Sequence, residues 1–583
     1  MRRPGLLLQI ALAALLLLLL NGSALSEVAL YGRGDASLIA STQTGEDEMR
    51  YLGKIREAYE GKWLMGNLSL KEYSRTTYSP SGFLEWIPAA LLKVFGGNFG
   101  LMLLVTDLLC TAIVIGLTWA WLKKFLTSPL LLWACMFALF FTFWGGSLSG
   151  LLRDAVPKFA QPFASLYVLL LALPGRHSLR ATALRSALIG IMFYTYPYHW
   201  TLFLGCEGLL LLWQITNNWT EISARNSKAW IKNAAASFLP FAVIAAPYVL
   251  LKRQTLGAPE FADFYSRYHI VFTHIPAAPK LQLQVFFALA VLVAAMLYAW
   301  KMKQEKRDAL IERYLPLLLP LVAMMVLLNA NIVTGKDPEW LGHGGRVILP
   351  IATVAVFAAF ERVLRTKFFP LISATLLLLF ASHAAALAPD EWRRAHEQYD
   401  AWEISDERQV LAWLNANLPP EQIIAAPRSL SELIPVFTDH YLFFNASAHL
   451  FFVSLDEITD RYLGWVGLYP SDKELTETAT VIVFGNHPGA QWSKERTVHN
   501  LLHPDEPFTK TMADYISRQD LRRQIDEEHS RPTAALTKKR LGQYGTEVVI
   551  TRTGEPVAAE VLEGFEKRQT IGKYGIWQRS REF

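Results

Sequence analysis

The sequence predicts a membrane domain of about eleven helical spans, followed by a small α/β domain outside the membrane. Composition favours this fold class, because 52% of the 583 residues are hydrophobic and only 18% are charged. An average soluble domain carries about 25% charged residues. The distribution of apolar residues along the chain is a second observation, because long apolar runs recur only as far as residue 388. We therefore predict a polytopic α-helical domain over residues 1–388 and an extracytoplasmic α/β domain over 389–583.

The first apolar run, Leu6 to Leu20, follows the basic residues Arg2 and Arg3. This pattern is typical of a signal peptide with a cleavage region at 23–26, and it also fits an uncleaved anchor. We favour the anchor because further spans follow it. Under either interpretation the next segment lies outside the cytoplasm, and it forms a first external loop over residues 22–98.

Further apolar runs approach the length of about 20 residues that a bilayer requires. With the first run, they are centred on 6–21, 99–122, 128–145, 159–174, 183–197, 200–216, 234–251, 281–300, 314–331, 346–361 and 368–388. The run 83–95 is shorter and contains Glu85 and Pro88, which predicts a juxtamembrane helix. A break at Tyr196 and Pro197 leaves open whether 183–216 forms two spans or one kinked span.

Basic residues support this topology, because cytoplasmic loops of membrane proteins carry an excess of Lys and Arg. With a cytoplasmic N-terminus, the basic clusters all fall on the cytoplasmic side: Arg2/Arg3, Lys123/Lys124, Arg176/Arg180/Arg185, Arg225/Lys228/Lys232, Lys301/Lys303/Lys306/Arg307 and Arg362/Arg365/Lys367. We predict a multi-pass protein of a bacterial inner membrane, in contact with membrane lipids. Sequons at Asn67 and Asn445 leave a eukaryotic secretory route open. The net charge of +5 is small for this length, so no nucleic-acid partner is expected.

The region after Pro389 has the patterns of a small α/β domain. Ser405 to Leu418 has helical spacing and ends before a Pro-Pro pair. Strands are predicted at 422–426, 479–485, 546–552 and 573–579. The region contains neither a glycine-rich phosphate loop nor a nucleophile elbow, so we assign it no chemistry.

An acidic pair, Asp47 and Glu48, opens an amphipathic stretch in the first external loop. Thr44 is a candidate N-cap, and the predicted helix ends at Gly61. Acids in a first helical turn commonly do no more than complement the helix dipole. Two carboxylates at a membrane face also suit proton transfer on a substrate that is held in the lipid.

The residues that follow this pair carry a resemblance to a known family. After the short helix come Tyr78-Ser79-Pro80 and the run Leu91-Leu92-Lys93-Val94-Phe95-Gly96. Residues 46–96 resemble the first external loop of the GT-C glycosyltransferases, multi-span enzymes that use polyprenyl-phosphate-linked sugars. The pattern is most similar to the branch that contains protein O-mannosyltransferases and lipid A aminoarabinose transferases.

The resemblance implies an inverting transfer of a hexosyl or pentosyl group from a polyprenyl-phosphate donor to a hydroxyl of a lipid, glycan or protein. It implies that Asp47 is the base and that Glu48 assists it. The leaving phosphate needs cations nearby, and the candidates are Arg346, Arg153 and Lys158. Alternatively, each of these cations anchors a helix end at the headgroups. Candidates for the donor or acceptor pocket are His343, Tyr78 and His199. Alternatively, His199 belongs to an aromatic belt at the membrane interface, and His343 is a solvated residue of a loop.

Whether a divalent metal takes part is left open, because no second acidic cluster is clearly placed beside Asp47. A transporter or flippase of lipid-linked saccharide is an alternative function, and it would be expected to carry ionisable residues within its spans. Asp107 and Glu207 are the exceptions in spans that are otherwise nearly free of charge. A membrane scaffold that works through its external domain is a further alternative.

Overall fold

The computed structural model is mostly helical and contains one small five-stranded sheet. It describes residues 5–31, 46–62, 66–75, 85–143, 156–195, 197–217, 227–267, 270–275, 279–300, 304–338, 340–363, 368–401, 405–445, 452–470, 483–485, 487–555 and 557–580.

The N-terminal part of the chain consists of helices. They are α1 (Leu6–Tyr31), α2 (Glu46–Tyr59), α3 (Trp86–Val94), α4 (Phe99–Leu122), α5 (Pro129–Ala138), α6 (Val156–Ala172), α7 (Leu179–Phe193), α8 (Pro197–Asn217), α9 (Ser227–Leu256), α10 (Glu260–Arg267), α11 (Pro279–Trp300), α12 (Gln304–Leu328), α13 (Ala330–Thr334), α14 (Trp340–Val363) and α15 (Phe369–Ala401). A π-helical turn, Leu139–Phe143, continues α5.

Each predicted apolar segment coincides with one of these helices, and the short run 83–95 contains α3. Within the described residues, four stretches are long and apolar enough to cross a membrane: Phe99–Leu122, Trp230–Leu250, Ala309–Thr334 and Phe369–Pro389. Shorter apolar helical stretches are Leu6–Gly22, Pro129–Phe141, Lys158–Ala172 and Leu283–Ala294. The membrane character of the helical part is therefore supported, and the count of eleven spans stays a prediction.

Helices α7 and α8 are two separate helices, which answers the question that the break at Pro197 raised. Arg185, in the middle of α7, donates from Nε to Oε1 of Glu207, in the middle of α8, at 2.5 Å. Only three residues separate Phe193, at the end of α7, from Pro197, at the start of α8, so this contact requires the two helices to run antiparallel to each other. A pyrrolidine ring at the first position of a helix needs no backbone partner, so Pro197 starts α8 and does not kink a longer helix.

Two connections between helices meet in a small antiparallel sheet. Strand β1 (Ile270–Phe272) pairs with β2 (Lys336–Pro338), and Ile270 lies opposite Pro338. The carboxamide of Asn331, in α13, donates to the carbonyl oxygens of Thr273 and Ile275 at 3.2 and 2.6 Å. These contacts join the loop before α11 to the loop after α12.

The C-terminal part combines a five-stranded sheet with helices. The elements are α16 (Ser405–Asn417), β3 (Ile423–Ala425), α17 (Arg428–Ser431), α18 (Ile434–Phe437), β4 (Tyr441–Leu442), α19 (Leu455–Leu468), α20 (His487–Leu502), α21 (Gln519–Ser530), α22 (Ala534–Gln543), β5 (Val548–Arg552), α23 (Ala559–Leu562), β6 (Phe565–Ile571) and β7 (Tyr574–Arg579). The strand order is β4-β3-β5-β7-β6. Strand β3 is parallel to β4 and β5, whereas β7 is antiparallel to β5 and β6.

The predictions for this region are confirmed for α16, β3, β5 and β7. Residues 483–485, the described part of the predicted strand 479–485, are not a strand. Strands β4 and β6 were not predicted. Strand β4 has two residues, and all but the ends of β6 is exposed, so neither strand has the alternation of apolar and polar residues that marks a strand with one buried face.

In strands β3 and β5, side chains that point to either face of the sheet are buried. Ile423 and Val549 join a core that also contains residues of α19. Ile424 and Ile550 point to the opposite face, where they share a core with residues of α16 and of the first-loop helix α2. Helix α2 is therefore part of the core of the C-terminal region and lies between that region and helix α4.

Candidate functional site

Helix α2 carries the predicted catalytic pair at its first turn. Asp47 and Glu48 are the second and third residues of the helix, and their side chains lie outside the described part of the structure. Gly61 ends the helical turn at φ +91°, a conformation that strains residues with a Cβ atom. The Gly61 and Lys62 amides donate to the carbonyls of Ala58 and Glu57, which is a Schellman motif. The predicted end at Gly61 is confirmed.

Helix α2 is enclosed on more than its apolar side. Leu52, Ile55 and Ala58 are fully buried, as amphipathic spacing predicts. Lys54 and Glu57 are also buried, with 3% and 5% of their surface exposed. The amphipathic pattern thus identifies one buried side correctly and misses the burial of charged residues on the others. The reason is that α2 packs against α3 on one side and against α18 on another.

The segment after α2 holds the first loop to the C-terminal region. The Leu442 amide, in β4, donates to the Ser69 carbonyl at 2.6 Å. The Tyr73 hydroxyl donates to Glu457 of α19 at 2.5 Å. Glu72 forms an ion pair with Arg461 of the same helix at 2.9 Å. These three contacts hold the segment 66–75 against the C-terminal region. The segment follows the helix that carries Asp47 in the same loop.

A charged cluster lies at the end of α2. The Lys62 ammonium is 3.5 Å from Glu57 Oε1, and burial raises the pKa of the Glu57 carboxyl to about 7 against the opposing charge of Lys62. Arg56 contacts Asp439 at 3.0 Å. Burial raises the pKa of Glu60, and a hydrogen bond that Glu60 shares with Asp439 raises it further. The same hydrogen bond lowers the pKa of Asp439. The cluster couples proton binding to the contact between α2 and the C-terminal region.

Lys158 is fully buried, and its ammonium donates to the Asp107 carboxylate of α4. This contact gives Asp107, an acid that the sequence places within a span, an internal partner. It also joins the start of α6 to α4. A phosphate contact by Lys158 stays a prediction. It would require the ammonium to bind a phosphate in addition to Asp107 or instead of it.

His199 lies near the start of α8 and is fully buried, with its ring centroid 6.4 Å from that of Phe203. Burial separates it from the exposed aromatic belt that the sequence also suggested. His343 and Arg346 lie in the first turns of α14, with side chains outside the described part. Arg153 and Tyr78 also lie outside the described residues. Their predicted roles therefore stay predictions.

Sequence reasoning missed three buried charged residues near the first loop: Lys54, Glu57 and Arg461. Arg461 lies 4.0 Å from the centroid of the Tyr544 ring and donates to the Phe443 carbonyl at 3.0 Å. Each of these residues lies in a helix, where charged side chains are usually exposed to solvent. The sequence around them therefore does not indicate that they are buried. Among the described residues, no group of three or more His, Cys, Asp and Glu side chains could hold a metal ion.

Comparison with known proteins identifies the fold. No protein-family model matches the sequence, and no curated protein matches it. The arabinofuranosyltransferase AftD from Mycobacteria is similar with a TM-score of 0.50 and 12% identity, over 96% of this chain and 40% of that one. The oligosaccharyltransferase of Archaeoglobus fulgidus is similar with a TM-score of 0.50 and 9% identity, over 98% of this chain and 74% of that one.

ArnT from Cupriavidus metallidurans matches 92% of this chain and 93% of its own at 14% identity, with a TM-score of only 0.33. The chain spans 40% of the length of AftD. At these identities the likeness concerns the fold alone. AftD and the archaeal oligosaccharyltransferase are both GT-C glycosyltransferases. The resemblance of the first loop is therefore confirmed at the level of the fold: this chain has the fold of the GT-C glycosyltransferases.

Proposed function

We propose that this chain is an integral-membrane glycosyltransferase that moves a sugar from a polyprenyl-phosphate donor to an acceptor hydroxyl on the extracytoplasmic face. The observation that carries the proposal is the fold, which the chain shares with two membrane glycosyltransferases. The position of Asp47 and Glu48 supports it, because they begin a helix that lies between the membrane helices and the C-terminal region.

The proposed reaction is a direct displacement at the anomeric carbon. Asp47 accepts the proton of the acceptor hydroxyl while the hydroxyl oxygen bonds to the anomeric carbon. The bond from that carbon to the donor phosphate oxygen breaks, so polyprenyl phosphate leaves and the configuration inverts. Glu48 orients the acceptor or Asp47. Arg346, Arg153 and Lys158 are the proposed cations for the leaving phosphate, and His343, Tyr78 and His199 are proposed to line the sugar or acceptor pocket.

The ion pairs inside the helical part weigh against a transporter. Ionisable residues that carry a substrate across a membrane would be expected to face a path. Asp107 is instead paired with Lys158, and Glu207 with Arg185, in buried contacts between neighbouring helices. These pairs join helices, so we do not propose transport as a second function.

The proposal is tested by the transfer of radiolabelled sugar from polyprenyl-phosphate donors in membranes that contain the wild type or Asp47→Asn at matched expression. We expect transfer by the wild type and at least a hundredfold loss in the variant, because general-base catalysis contributes about 10²–10⁴-fold. Asp35→Asn, an acid of the same loop outside the motif, is the control and should retain transfer. Equal transfer by wild type and Asp47→Asn would disprove the role of Asp47. Absence of transfer by the wild type from every donor would contradict the enzyme.

A further inference from the structure

Two histidines lie one helical turn apart at the end of α20. His499 belongs to the last turn of this helix, and the His503 amide donates to the His499 carbonyl at 2.7 Å, which continues the turn as far as His503. Residues four positions apart in a helix are neighbours on one face, and the centroids of the two rings are 5.2 Å apart. His499 is half-buried and His503 is exposed, so a solute can reach both imidazoles.

The spacing of the two rings matches the spacing that one metal ion imposes. Zinc in proteins is tetrahedral, with Zn–N bonds of about 2.0–2.1 Å. With about 1.2 Å from each nitrogen to the centre of its ring, two imidazoles on one tetrahedral zinc have ring centres about 5 Å apart. The separation of 5.2 Å agrees with this value. Ring stacking alone also allows separations of about 4.5–7 Å, so the hydrogen bonding of the rings has to distinguish the two arrangements.

The hydrogen bond of His499 favours metal binding. Its Nε2 lies 3.1 Å from the carbonyl oxygen of Glu506. A carbonyl oxygen only accepts, so Nε2 of the neutral ring carries the proton and Nδ1 presents a lone pair. Metal-binding histidines almost always donate their other N–H to a carbonyl, a carboxylate or water, which fixes the tautomer and the orientation of the ring. The Glu506 carbonyl therefore prepares Nδ1 of His499 to bind a cation.

The chain that follows α20 holds this arrangement in place. The ring of Phe508 packs on His499, with centroids 5.3 Å apart. The Trp492 indole, two turns earlier in the helix, donates to the Lys510 carbonyl at 2.9 Å. The returning chain is thus fixed against α20 on both sides of Phe508, and the Glu506 carbonyl is already in contact with His499. A site that is ordered before its ligand arrives loses less entropy on binding.

We propose that His499 and His503 together bind a divalent transition metal ion, and that water completes its coordination. Imidazole nitrogen suits zinc and copper ions, and the carbonyl end of a helix favours positive charge. The exposed acids Asp505 and Glu506 add negative charge nearby. Since the described residues contain no metal-binding group of three His, Cys, Asp or Glu side chains, the ion has two protein ligands. Neither histidine belongs to α2, so this site does not depend on the proposed function.

The test is Zn²⁺ binding, measured by calorimetry on the full chain in detergent and without a polyhistidine tag. We expect the wild type to bind a Zn²⁺ ion that His499→Gln and His503→Gln each bind more weakly by about tenfold or more, because one imidazole cannot chelate. His383→Gln, which removes an exposed histidine of α15 with no other histidine within four residues, is the control and should bind as the wild type does. With Cu²⁺, electron paramagnetic resonance should show two nitrogen ligands in the wild type and one in His503→Gln.

A second variant separates chelation from the number of histidines. Leu501 is 79% exposed, and Leu501→His combined with His503→Gln keeps two histidines but puts them two positions apart, where helical residues do not face each other. This double variant should bind Zn²⁺ as weakly as His499→Gln does, and its thermal midpoint without metal should equal that of the wild type. Wild-type affinity in the double variant or in both single variants would overturn the proposal, and so would a wild type that binds no Zn²⁺.

Discussion

Glu57 shows how one buried side chain can make the whole fold sensitive to pH. Its carboxyl is 5% exposed, and burial raises its pKa from 4.5 to about 7. The charged groups around it are Lys62, Lys54 and Glu60. A carboxyl that binds its proton more tightly in the folded chain makes folding less favourable as pH rises. The loss begins near the unfolded pKa and is complete above pH 7.

Glu57→Gln should therefore stabilise the protein at pH 8 and change little at pH 5. The shift corresponds to about 3 kcal/mol of folding free energy. Thermal midpoints of the purified chain in detergent, measured between pH 5 and 8, provide the test. Glu506→Gln, at an exposed position, serves as the control and should follow the wild type at every pH. A wild-type midpoint that is higher at pH 8 than at pH 5, with no gain from Glu57→Gln, would contradict a carboxylate whose burial outweighs its contact with Lys62.

At the scale of elements, the antiparallel pair α7 and α8 depends on one buried ion pair. Arg185 donates to both oxygens of Glu207, at 2.5 and 3.1 Å, and the Tyr167 hydroxyl of α6 donates to the same carboxylate at 2.9 Å. Both charged side chains are at most 1% exposed. Removing one partner leaves the other charge buried alone, which costs about 3–5 kcal/mol.

Arg185→Met should therefore lower the free energy of unfolding by this amount, and adding Glu207→Met should restore most of it, because replacing both members of a buried pair is often close to neutral. Unfolding of the full chain in mixed micelles by denaturant provides the measurement. The exposed pair Arg568 and Glu566 is the comparison, with an expected change of about 0–1 kcal/mol for Arg568→Met. Additive losses in the Arg185/Glu207 double variant would refute the coupling.

Helix α7 also illustrates what sequence could and could not predict. Hydropathy identified the segment, because a run of apolar residues is a local property. Positive charge near its start led us to expect Arg185 in a cytoplasmic loop, and the structure instead places it buried inside α7. Its partner Glu207 lies 22 residues away. Pairing between distant charges depends on helix packing, which the local pattern does not contain.

The same limit applies to the candidate site. Local residue chemistry was enough to predict the acidic pair, the end of α2 at Gly61 and the helix α3. The structure contains the predicted end of α2 and the helix α3. That α2 shares a core with the C-terminal sheet could not be predicted, because the contacts join residues more than 380 positions apart, such as Arg56 and Asp439. Contacts of this range are set by the fold as a whole.

For the whole molecule, Arg461 is the residue that joins the first loop to the C-terminal region. It is 1% exposed and contacts Glu457 and Glu72 at 2.8 and 2.9 Å. Glu457 in turn accepts from Tyr73 of the first loop at 2.5 Å. The guanidinium thus holds the segment 66–75 through two acids, and its fixed fork of donors suits such paired contacts better than an ammonium does.

Arg461→Met should release this segment while the helical part stays folded. The acids that Arg461→Met leaves without this partner are partly exposed, Glu72 at 41% and Glu457 at 19%. Losing a hydrogen bond to a charged group costs about 1.5–3 kcal/mol, and each 1.4 kcal/mol changes an equilibrium tenfold, so the open population should rise at least tenfold. Trypsin cleavage after Arg75, followed in native membranes, reports this opening. Arg568→Met, which removes an exposed arginine, should cleave at the wild-type rate. If the proposed function holds, sugar transfer should fall in parallel, because the segment anchors the helix that carries Asp47. Unchanged cleavage in Arg461→Met would show that the loop is held by its other contacts.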